Sequence, residues 1–490
     1  MSLSSPRLAS LAASVLVAAC GPGPVTPATA GPAGPAVPPR PELGPSPEVS
    51  FPAPEAFTLS NGLAVDVLRA GRLPLLYLTL VVRAGQSSEP PGLPGLADFT
   101  AEMLKEGTTR RTGLEVMAAI EDAGGSFAVH TGRDSVSLDL TIPTEQAAVA
   151  IAAFAEMVRE PAFPADEVEK HRERELARLV RMRADPNYTA LAVLLRELYG
   201  EHPYAKLDAT PPSIALIQRE HLVTFHHDHF AADGAFLVAA GDADAATLRP
   251  LLEAAFGSWR NGAAPPLAVP DPPAIPSRRV LLVDRPGSVQ STIYVGFSTV
   301  PMRDPDFLAL SVANEVLGGS ASSRLFINLR EVHGWTYGAY SALEETALYA
   351  PAYLLSDVDA PATAGALTEF LAELTKLVEE PAPAEELAAR EAYMTRIMPL
   401  RVETPLSLAS MLIEQKINGL PGAWWNEYRD RVLAVSAEQA RAAALRYLAP
   451  DRAVVVVVGV AADVLEACRA VGPVTMTDID GNRGETYPAL

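Results

Sequence analysis

Cysteine, positive charge and long apolar runs are all scarce in this sequence. The 490 residues include 2 cysteines, and 39 lysines and arginines stand against 59 aspartates and glutamates, which gives a formal net charge of −20. This charge argues against nucleic acid as a partner, because phosphate binding requires a basic face. Beyond the N-terminal region no apolar stretch is long enough to span a bilayer, so we expect a soluble folded body. The length predicts two or more domains.

The N-terminus has the pattern of a secretory signal. Arg7 precedes an apolar run at 8–19 that ends at Cys20, and this run is too short for a membrane span. The ending Val-Ala-Ala-Cys resembles the bacterial lipobox, in which the cysteine is lipidated and becomes the new N-terminus. We therefore expect residues 1–20 to be a lipoprotein signal peptide and Cys20 to hold the protein at a membrane. The alternative is a plain signal with an incidental cysteine. With Cys20 lipidated, Cys468 has no disulfide partner.

The segment after the signal is rich in proline. Residues 21–54 contain 12 prolines among 34 residues, a composition that cannot bury a core and is typical of a disordered, extended tether. Such a tether would hold a folded body off the periplasmic face of a membrane in a bacterial cell envelope. Gly21 is not the aspartate that retains lipoproteins at the inner membrane in some bacteria, which favours the outer membrane.

The rest of the sequence predicts an α/β fold with two homologous domains. Strand patterns alternate with amphipathic helices, with Asn61-Gly62 as a hairpin turn. Residues 230–241 align without gaps on residues 448–459, and each copy reads as a helix exit, an Asp turn, a buried strand and a glycine. We expect a first domain at 55–260, a proline-rich linker at 261–278, a second domain at 279–475 and a tail at 476–490.

A short, mostly buried helix is predicted within residues 92–107. Its Gly-Leu-Ala lead-in and Met-Leu exit resemble the active-site helix of the pitrilysin/insulinase metallopeptidases, the inverzincins, whose His-x-x-Glu-His holds zinc and activates water. The five motif positions here read Asp-Phe-Thr-Ala-Glu, residues 98–102. Asp98 and Glu102 replace both imidazoles, and Ala101 replaces the water-activating glutamate and can neither take nor give a proton.

The resemblance also implies a third zinc ligand, a glutamate on a later helix. Counting onward from Glu102 leads to residues 177–178, where no carboxylate stands. Glu173 and Glu175 lie upstream, and one of them could approach the site if the register slipped. We therefore expect no metal and no cofactor in this chain. The alternative is that Asp98 and Glu102 hold a hard cation such as Mg²⁺ or Ca²⁺.

The resemblance further implies that the two domains face each other as a clamshell around a peptide chamber. Each domain would then be a mixed β-sheet packed with helices. A strand at 126–131 would form the sheet edge that pairs with a bound peptide, a case of β-augmentation. The alternative for this segment is an ordinary sheet strand.

A second motif lies at 318–337, where Arg-Leu-Phe, Leu-Arg-Glu and Gly-x-x-Tyr match the family. The resemblance implies that Arg330 and Tyr337 reach the peptide beside the zinc. A guanidinium and a phenol both donate hydrogen bonds to a scissile carbonyl and to the oxyanion that develops from it. The alternative is a solvated Arg330 and a Tyr337 whose hydroxyl is bonded locally. Arg324 and Glu331 are expected to be structural.

Half of the 8 histidines lie within residues 221–229. His226 and His229 are spaced i and i+3 and could share a metal ion, but the cluster supplies no carboxylate or fixed third ligand. We expect a half-exposed helix end here instead of a metal site.

One half of an active site is thus missing and the other half is present, which favours the non-catalytic subunit of a heterodimeric zinc peptidase. In the same family, mitochondrial processing peptidase and several bacterial proteases pair a zinc-bearing chain with a zinc-less one. We expect the partner to be a homologous subunit that keeps His-x-x-Glu-His and carries the zinc, and the substrate to be a peptide. The alternative is a non-proteolytic scaffold or peptide-binding envelope protein, like the family members that serve as core subunits of respiratory complexes.

Overall fold

A computed structural model describes residue 44, residues 48–264 and residues 269–490. Cys20, the predicted signal peptide, most of the predicted tether and residues 265–268 of the predicted linker lie outside the described residues. From Ser46 to Leu490 the chain forms one compact unit with two β-sheets. The first half of this unit is residues 55–260 and the second half is residues 279–490. None of the helices in the described residues has the length and apolar character that crossing a membrane requires.

The described residues contain 13 strands in two mixed sheets. They are β1 Glu55–Thr58, β2 Ala64–Arg69, β3 Leu75–Val82, β4 Ser126–Thr131, β5 Val136–Pro143, β6 Ala235–Gly241, β7 Arg279–Asp284, β8 Gln290–Ser298, β9 Thr336–Leu343, β10 Pro351–Asp359, β11 Val454–Gly459, β12 Val474–Thr477 and β13 Arg483–Tyr487. The first sheet has the order β1-β2-β6-β3-β5-β4 and the second the order β13-β12-β7-β11-β8-β10-β9. β2 pairs with β6 in parallel, as β7 does with β11 and β12, and the other pairs are antiparallel.

The two sheets are copies of one arrangement. The order β2-β6-β3-β5-β4 in the first sheet corresponds to β7-β11-β8-β10-β9 in the second. The aligned segments 230–241 and 448–459 each contain a 3₁₀ turn followed by a central strand, β6 or β11. Both strands are almost entirely buried, as expected for parallel-paired strands that are covered on both faces. The prediction of two homologous α/β halves is confirmed.

The described residues also contain 17 α-helices. They are α1 Leu96–Glu102, α2 Gly113–Glu121, α3 Ala147–Arg159, α4 Ala165–Arg183, α5 Pro186–Tyr199, α6 Pro211–Leu216, α7 Arg219–His229, α8 Ala245–Phe256, α9 Phe307–Leu317, α10 Arg324–Phe326, α11 Thr363–Glu379, α12 Ala384–Arg396, α13 Met398–Arg401, α14 Pro405–Ile417, α15 Trp424–Leu433, α16 Ala437–Tyr447 and α17 Ala461–Val471. Local chemistry sets several of their starts. Thr112 and Ser436 form capping boxes, and Asp185 caps α5 ahead of Pro186.

Each half supplies one helix to the sheet of the other half. Helix α5 packs on β8 and β11 of the second sheet, and α14 packs on β2, β3 and β6 of the first. In α5, Leu194 is fully buried and lies so close to Gly296 of β8 that a Cβ at that glycine would sit 2.6 Å from a Leu194 methyl carbon. On the other side, Lys416 of α14 forms an ion pair with Asp66 of β2. This reciprocal packing joins the halves into one unit.

Both ends of the folded body extend beyond the predicted boundaries. Phe51, placed in the predicted tether, is 5% exposed. Its N–H donates to Asn426 Oδ1 at 2.8 Å, and its carbonyl accepts from Asn426 Nδ2 at 3.2 Å. The predicted tail contains β13, which pairs with β12 at the edge of the second sheet. The tether and tail boundaries are corrected accordingly. Neither apolar periodicity nor proline content reports on these long-range contacts.

Candidate functional site

Helix α1 is held at its N-terminus by a buried carboxyl group. Glu89, in the preceding loop, accepts hydrogen bonds from the N–H groups of Gly95 at 2.9 Å and Ala97 at 3.0 Å. Burial raises the pKa of Glu89 to about 8 in spite of these bonds. Gly95 adopts a φ of 92°, a conformation that strongly favours glycine. These contacts fix the orientation of the helix that carries the motif positions.

The five motif positions of α1 divide between the core and a cleft. Asp98 and Glu102 lie one turn apart and both line a cleft of about 710 Å³. Phe99 and Ala101 are buried in the core of the first half. Asp98 and Glu102 therefore share one face of the helix, as the sequence predicts. Ala101 presents only a methyl group, which can accept no proton.

The opposite wall of the cleft comes from α4 and from the chain around Asp208. Glu175 and Arg178 both line this wall. Arg178 donates two hydrogen bonds to Asp208, both at 2.8 Å, and a third to Glu175 at 2.7 Å. Counting from the motif led to Arg178, and the structure places its guanidinium between two carboxylates. Asp208 could not be found from the sequence, because its role depends on a contact 30 residues away.

The surroundings of Asp98 in the cleft raise the pKa of its carboxyl group. Burial raises its pKa to about 6, and the neighbouring carboxylates of Glu102, Glu175 and Asp208 act in the same direction. The neighbouring Thr131 side chain acts in the opposite direction and lowers this pKa in part. Glu102 itself forms an ion pair with Lys105. The cleft is thus acidic at Asp98, while its other carboxylates are paired with the chain's own cations.

His171 of α4 is a cleft residue that the sequence analysis missed. Its ring packs edge-on against Phe99 with ring centroids 4.4 Å apart, and it is 5% exposed. Arg174 lies 3.4 Å from its Nδ1, and its Nε2 has no partner. Burial and Arg174 lower the pKa of His171 to about 4, so the ring is neutral at neutral pH. The i+4 spacing from His171 to Glu175 is the signal that places both on one face of α4.

The side chains around α1 do not fit a zinc ion. Zinc sites use nitrogen, sulfur and unpaired carboxylate ligands, whereas Glu102 and Glu175 are paired with Lys105 and Arg178. Over the described parts of the chain, no group of three or more histidine, cysteine, aspartate or glutamate side chains is placed to hold a metal ion. Ala101 stands where the resembled motif has its water-activating glutamate, so that base is not present at its usual position.

Arg330 and Tyr337 lie in the second half and do not line the Asp98 cleft. Arg330 is in a short π-helix, Ile327–Val332, where its guanidinium lies 5.0 Å from the centre of the Phe326 ring and pairs with Glu331. Tyr337 is in β9 and is 91% exposed. Among the described residues its hydroxyl has no hydrogen-bond partner, so the local bond of the alternative interpretation is not found there. Both side chains are therefore free to meet another molecule.

The residues around Arg330 and Tyr337 adopt the local structure that the sequence predicts. Leu325 and Leu329 are fully buried, and Gly334 ends the helical segment with a φ of 67°. Arg324 forms two hydrogen bonds with Glu386, at 2.9 and 2.7 Å. Its structural role is confirmed.

Strands β4 and β9 are the corresponding edge strands of the two sheets. β4 pairs with β5 on one side, and its other side is open. The predicted sheet edge at 126–131 is therefore present. The geometry permits addition of a peptide strand there and leaves both interpretations of the segment open.

The histidine cluster is a helix end. The partly buried ring of His226 stacks on Phe230, and its Nε2 lies 2.7 Å from the carbonyl oxygen of Val158. Burial lowers its pKa to about 4. His229 packs against Phe225, and His227 pairs with Asp228. The rings of His226 and His229 thus serve packing at a partly exposed helix end, as predicted.

Two family models match this chain. Residues 75–209 match the insulinase model (peptidase family M16), and residues 216–392 match the peptidase M16 inactive domain. An uncharacterized zinc protease of Mycobacterium bovis is 27% identical over 309 residues, which is 62% of this chain and 70% of that protein. The uncharacterized zinc protease YmxG of Bacillus subtilis is 23% identical over 287 residues, which is 58% of this chain and 69% of that protein.

Solved structures agree with these matches. A structure described as a peptidase M16 inactive domain from Pseudomonas fluorescens superposes with a TM-score of 0.76 and 25% identity, covering 83% of this chain and 98% of that one. A protease from Helicobacter pylori gives a TM-score of 0.78 at 18% identity, covering 84% and 100%. A chain of Complex III2 from Candida albicans gives 0.70 at 16%, covering 85% and 98%. The two family models together cover well over half of the sequence, and this chain belongs to the insulinase family, peptidase family M16.

Proposed function

We propose that this chain is the non-catalytic subunit of a two-chain zinc peptidase that acts on peptides in a bacterial cell envelope. The observation that carries the proposal is the division between its two sites. Among the described residues, the Asp98 cleft has no group of three or more side chains placed to hold a metal ion, and Ala101 replaces the base of the motif, whereas Arg330 and Tyr337 are exposed on the other half. A chain with only this second set of groups can contribute to hydrolysis when another chain brings the zinc.

The partner in this proposal is a homologous subunit with an intact His-x-x-Glu-His. Arg330 and Tyr337 would donate hydrogen bonds to the carbonyl of a peptide bound in the partner's site. Two features of the structure support this role. Tyr337 has no competing bond among the described residues, and Arg330 is engaged by an exposed carboxylate, Glu331, which a substrate carbonyl can replace at low cost.

The envelope location follows from the N-terminal sequence. Lipidation at Cys20 would hold the protein at a membrane, with the outer membrane favoured over the inner. Mass spectrometry of the protein purified from membranes tests this part independently. A diacylglycerol adduct on Cys20 supports it, and an N-terminus processed elsewhere contradicts it.

A scaffold without a role in proteolysis is the second candidate. The fold similarity to a chain of Complex III2 favours it, because that chain comes from a respiratory assembly. In this reading the chain binds another protein or a peptide, and Arg330 and Tyr337 have no effect on hydrolysis.

The deciding experiment mixes this chain with an M16 homologue from the same genome that keeps His-x-x-Glu-His. Peptide hydrolysis and zinc content are measured for each chain alone and for the mixture, with wild type, Arg330→Ala and Tyr337→Phe. We expect this chain alone to be silent and zinc-free and to raise the homologue's rate. Each substitution should reduce that rise by roughly 10²-fold, the scale for losing one oxyanion donor.

A matched control separates chemistry from assembly. Arg446→Ala changes an exposed cation on α16 of the same half and should leave the stimulation intact. Complex formation is followed by size-exclusion chromatography for every variant. Stimulation that survives both Arg330→Ala and Tyr337→Phe would favour the scaffold, and zinc-dependent hydrolysis by this chain alone would overturn both proposals.

A further inference from the structure

A second cavity, of about 660 Å³, lies between the two halves. Its walls come from β4 and β5 of the first half, from α14 of the second half and from residues 344–346, which follow β9. Its described lining residues include five carboxylates but one arginine and no lysine. The carboxylates are Asp134, Asp139, Glu344, Glu345 and Glu414. The cavity is therefore strongly acidic.

Three of these carboxylates are satisfied by protein groups. Glu344 forms an ion pair with Arg133 at 3.2 Å, which uses the cavity's arginine. Asp134 accepts a hydrogen bond from the Tyr204 hydroxyl at 2.5 Å. Asp139 likewise accepts one from a threonine hydroxyl at 2.6 Å. These three residues need no further partner.

The other two carboxylates, Glu345 and Glu414, also line the cavity, and burial and the nearby charge of Glu345 raise the pKa of Glu414. Arg401 is close enough to favour the charged form of Glu414 but forms no ion pair with either carboxylate in the described structure. The Oε1 atom of Glu414 is buried and has no hydrogen-bond partner. Two neighbouring carboxylates repel each other unless a proton or a cation lies between them.

Two neutral oxygens of residues that line the same cavity are also without a hydrogen-bond partner among the described residues. Thr346 Oγ1 and Asn418 Oδ1 make no hydrogen bond, although their residues are only 6% and 4% exposed. Both residues line the same cavity as the two carboxylates. Asn418 donates its Nδ2 to the carbonyl of Glu414 at 3.0 Å, which leaves Oδ1 as the free acceptor. Buried acceptors without a donor are rare in folded proteins, so they point to a missing ligand.

We propose that Glu345, Thr346, Glu414 and Asn418 bind a hard divalent cation, with Ca²⁺ as the best match. Two carboxylates and two neutral oxygens form an all-oxygen ligand set, which Ca²⁺ and Mg²⁺ prefer and zinc does not. Ca²⁺ accepts irregular geometry and completes its shell with water, which the cavity has room to supply. The proposal rests on this cavity and is independent of the proposed peptidase role.

The cation would join two elements of the second half at the place where they meet the first. Glu345 and Thr346 belong to the connection between β9 and β10, and Glu414 lies on α14, which packs on the first sheet. Binding would therefore fix α14 against this connection and stabilise the contact between the halves.

The test is calorimetric titration of the purified, chelator-treated chain with CaCl₂, MgCl₂ and ZnCl₂, together with thermal unfolding in each salt. We expect one Ca²⁺ per chain, with a Kd of about 10⁻⁴–10⁻³ M as in extracellular modules, and a rise in Tm on binding. Glu414→Gln and Glu345→Gln should each abolish the heat of binding and the rise in Tm. Glu403→Gln, an exposed carboxylate ahead of α14, is the matched control and should bind like wild type.

Several outcomes would overturn the proposal. One is a wild type that shows neither heat of binding nor a rise in Tm with Ca²⁺ or Mg²⁺. Another is a heat of binding and a rise in Tm that both glutamine variants retain. Both variants keep a polar side chain of the same size. Circular dichroism is the control for their folding. A lysine-containing peptide is the control occupant, and binding of that peptide with no response to either cation would identify the cavity as a peptide site instead.

Discussion

Arg178 and Asp208 face each other as a two-pronged ion pair, with both nitrogen–oxygen distances at 2.8 Å. The same guanidinium also contacts Glu175, so one cation satisfies two of the carboxylates in the Asp98 cleft. This arrangement stabilises two carboxylates of the first-half cleft with a cation that the chain itself supplies. It also makes the cleft sensitive to any change at Arg178.

Arg178→Ala should lower the free energy of unfolding by about 1–3 kcal/mol, because it leaves two partly buried carboxylates unpaired. Arg178→Lys should retain part of this stability, since a lysine is a point charge and cannot form the two-pronged contact. Urea unfolding measures both. Arg181→Ala changes an exposed arginine on the same helix and should stay within about 0.5 kcal/mol of wild type. Equal losses of unfolding free energy in Arg178→Ala and Arg181→Ala would contradict the stabilising role assigned to Arg178.

Asp98 predicts a dependence of stability on pH. Its folded-state pKa of about 6 lies above the ordinary 3.8, so its contribution to stability is full below pH 3.8 and is lost as the pH rises through 6. In Asp98→Asn the side chain is neutral at every pH, so the variant does not lose stability as the pH rises. The variant should exceed wild type by on the order of 2 kcal/mol near neutral pH, and the difference should vanish below the ordinary pKa. Denaturant unfolding across this range measures it, and a variant less stable at neutral pH would refute the buried, strained carboxylate.

The ion pair between Lys416 and Asp66 predicts strong coupling between the halves. Asp66 has a side chain that is 8% exposed, so Lys416→Met leaves a nearly buried carboxylate unpaired and should cost about 3–5 kcal/mol. Adding Asp66→Asn should restore much of this loss, because the unpaired charge is removed. A double-mutant cycle measures the coupling energy.

Lys170→Met provides the surface comparison for that pair. Lys170 contacts Glu167 on α4, and its side chain is 56% exposed. Its loss should change the free energy of unfolding far less than the loss of Lys416 does, because solvent screens an exposed ion pair. For the double-mutant cycle, additive changes in unfolding free energy for Lys416→Met and Asp66→Asn would show that this ion pair does not join the halves.

The sequence was sufficient for features that depend on local chemistry or on repetition. The hairpin at Asn61-Gly62 forms as predicted, with Leu59 and Leu63 bonded across it, because two adjacent residues determine a tight turn. The repeat at 230–241 and 448–459 was visible because each copy keeps the same turn and buried strand.

Features that depend on partners distant in sequence could not be predicted. An apolar helix face shows that α5 is buried, but it does not show that the covering sheet belongs to the other half. The same holds for Asp208, whose carboxylate meets Arg178 only after α4 and the following segments have folded. In the cleft, the residue types indicated an altered zinc motif, and only the fold revealed that Lys105 and Arg178 pair with the carboxylates around it.

The exposure of Arg330 and Tyr337 predicts that neither supports the fold. Arg330→Ala and Tyr337→Phe should each change the free energy of unfolding by less than about 0.5 kcal/mol, as is usual for surface substitutions. Arg324→Ala is the matched comparison in the same segment. Its guanidinium makes two bonds to Glu386 and its side chain is 16% exposed, so its loss should cost about 1–3 kcal/mol. Thermal and urea unfolding of the three variants measure this contrast. If Arg330→Ala were as destabilising as Arg324→Ala, Arg330 would be a structural residue, and any loss of partner stimulation in that variant would no longer report on chemistry.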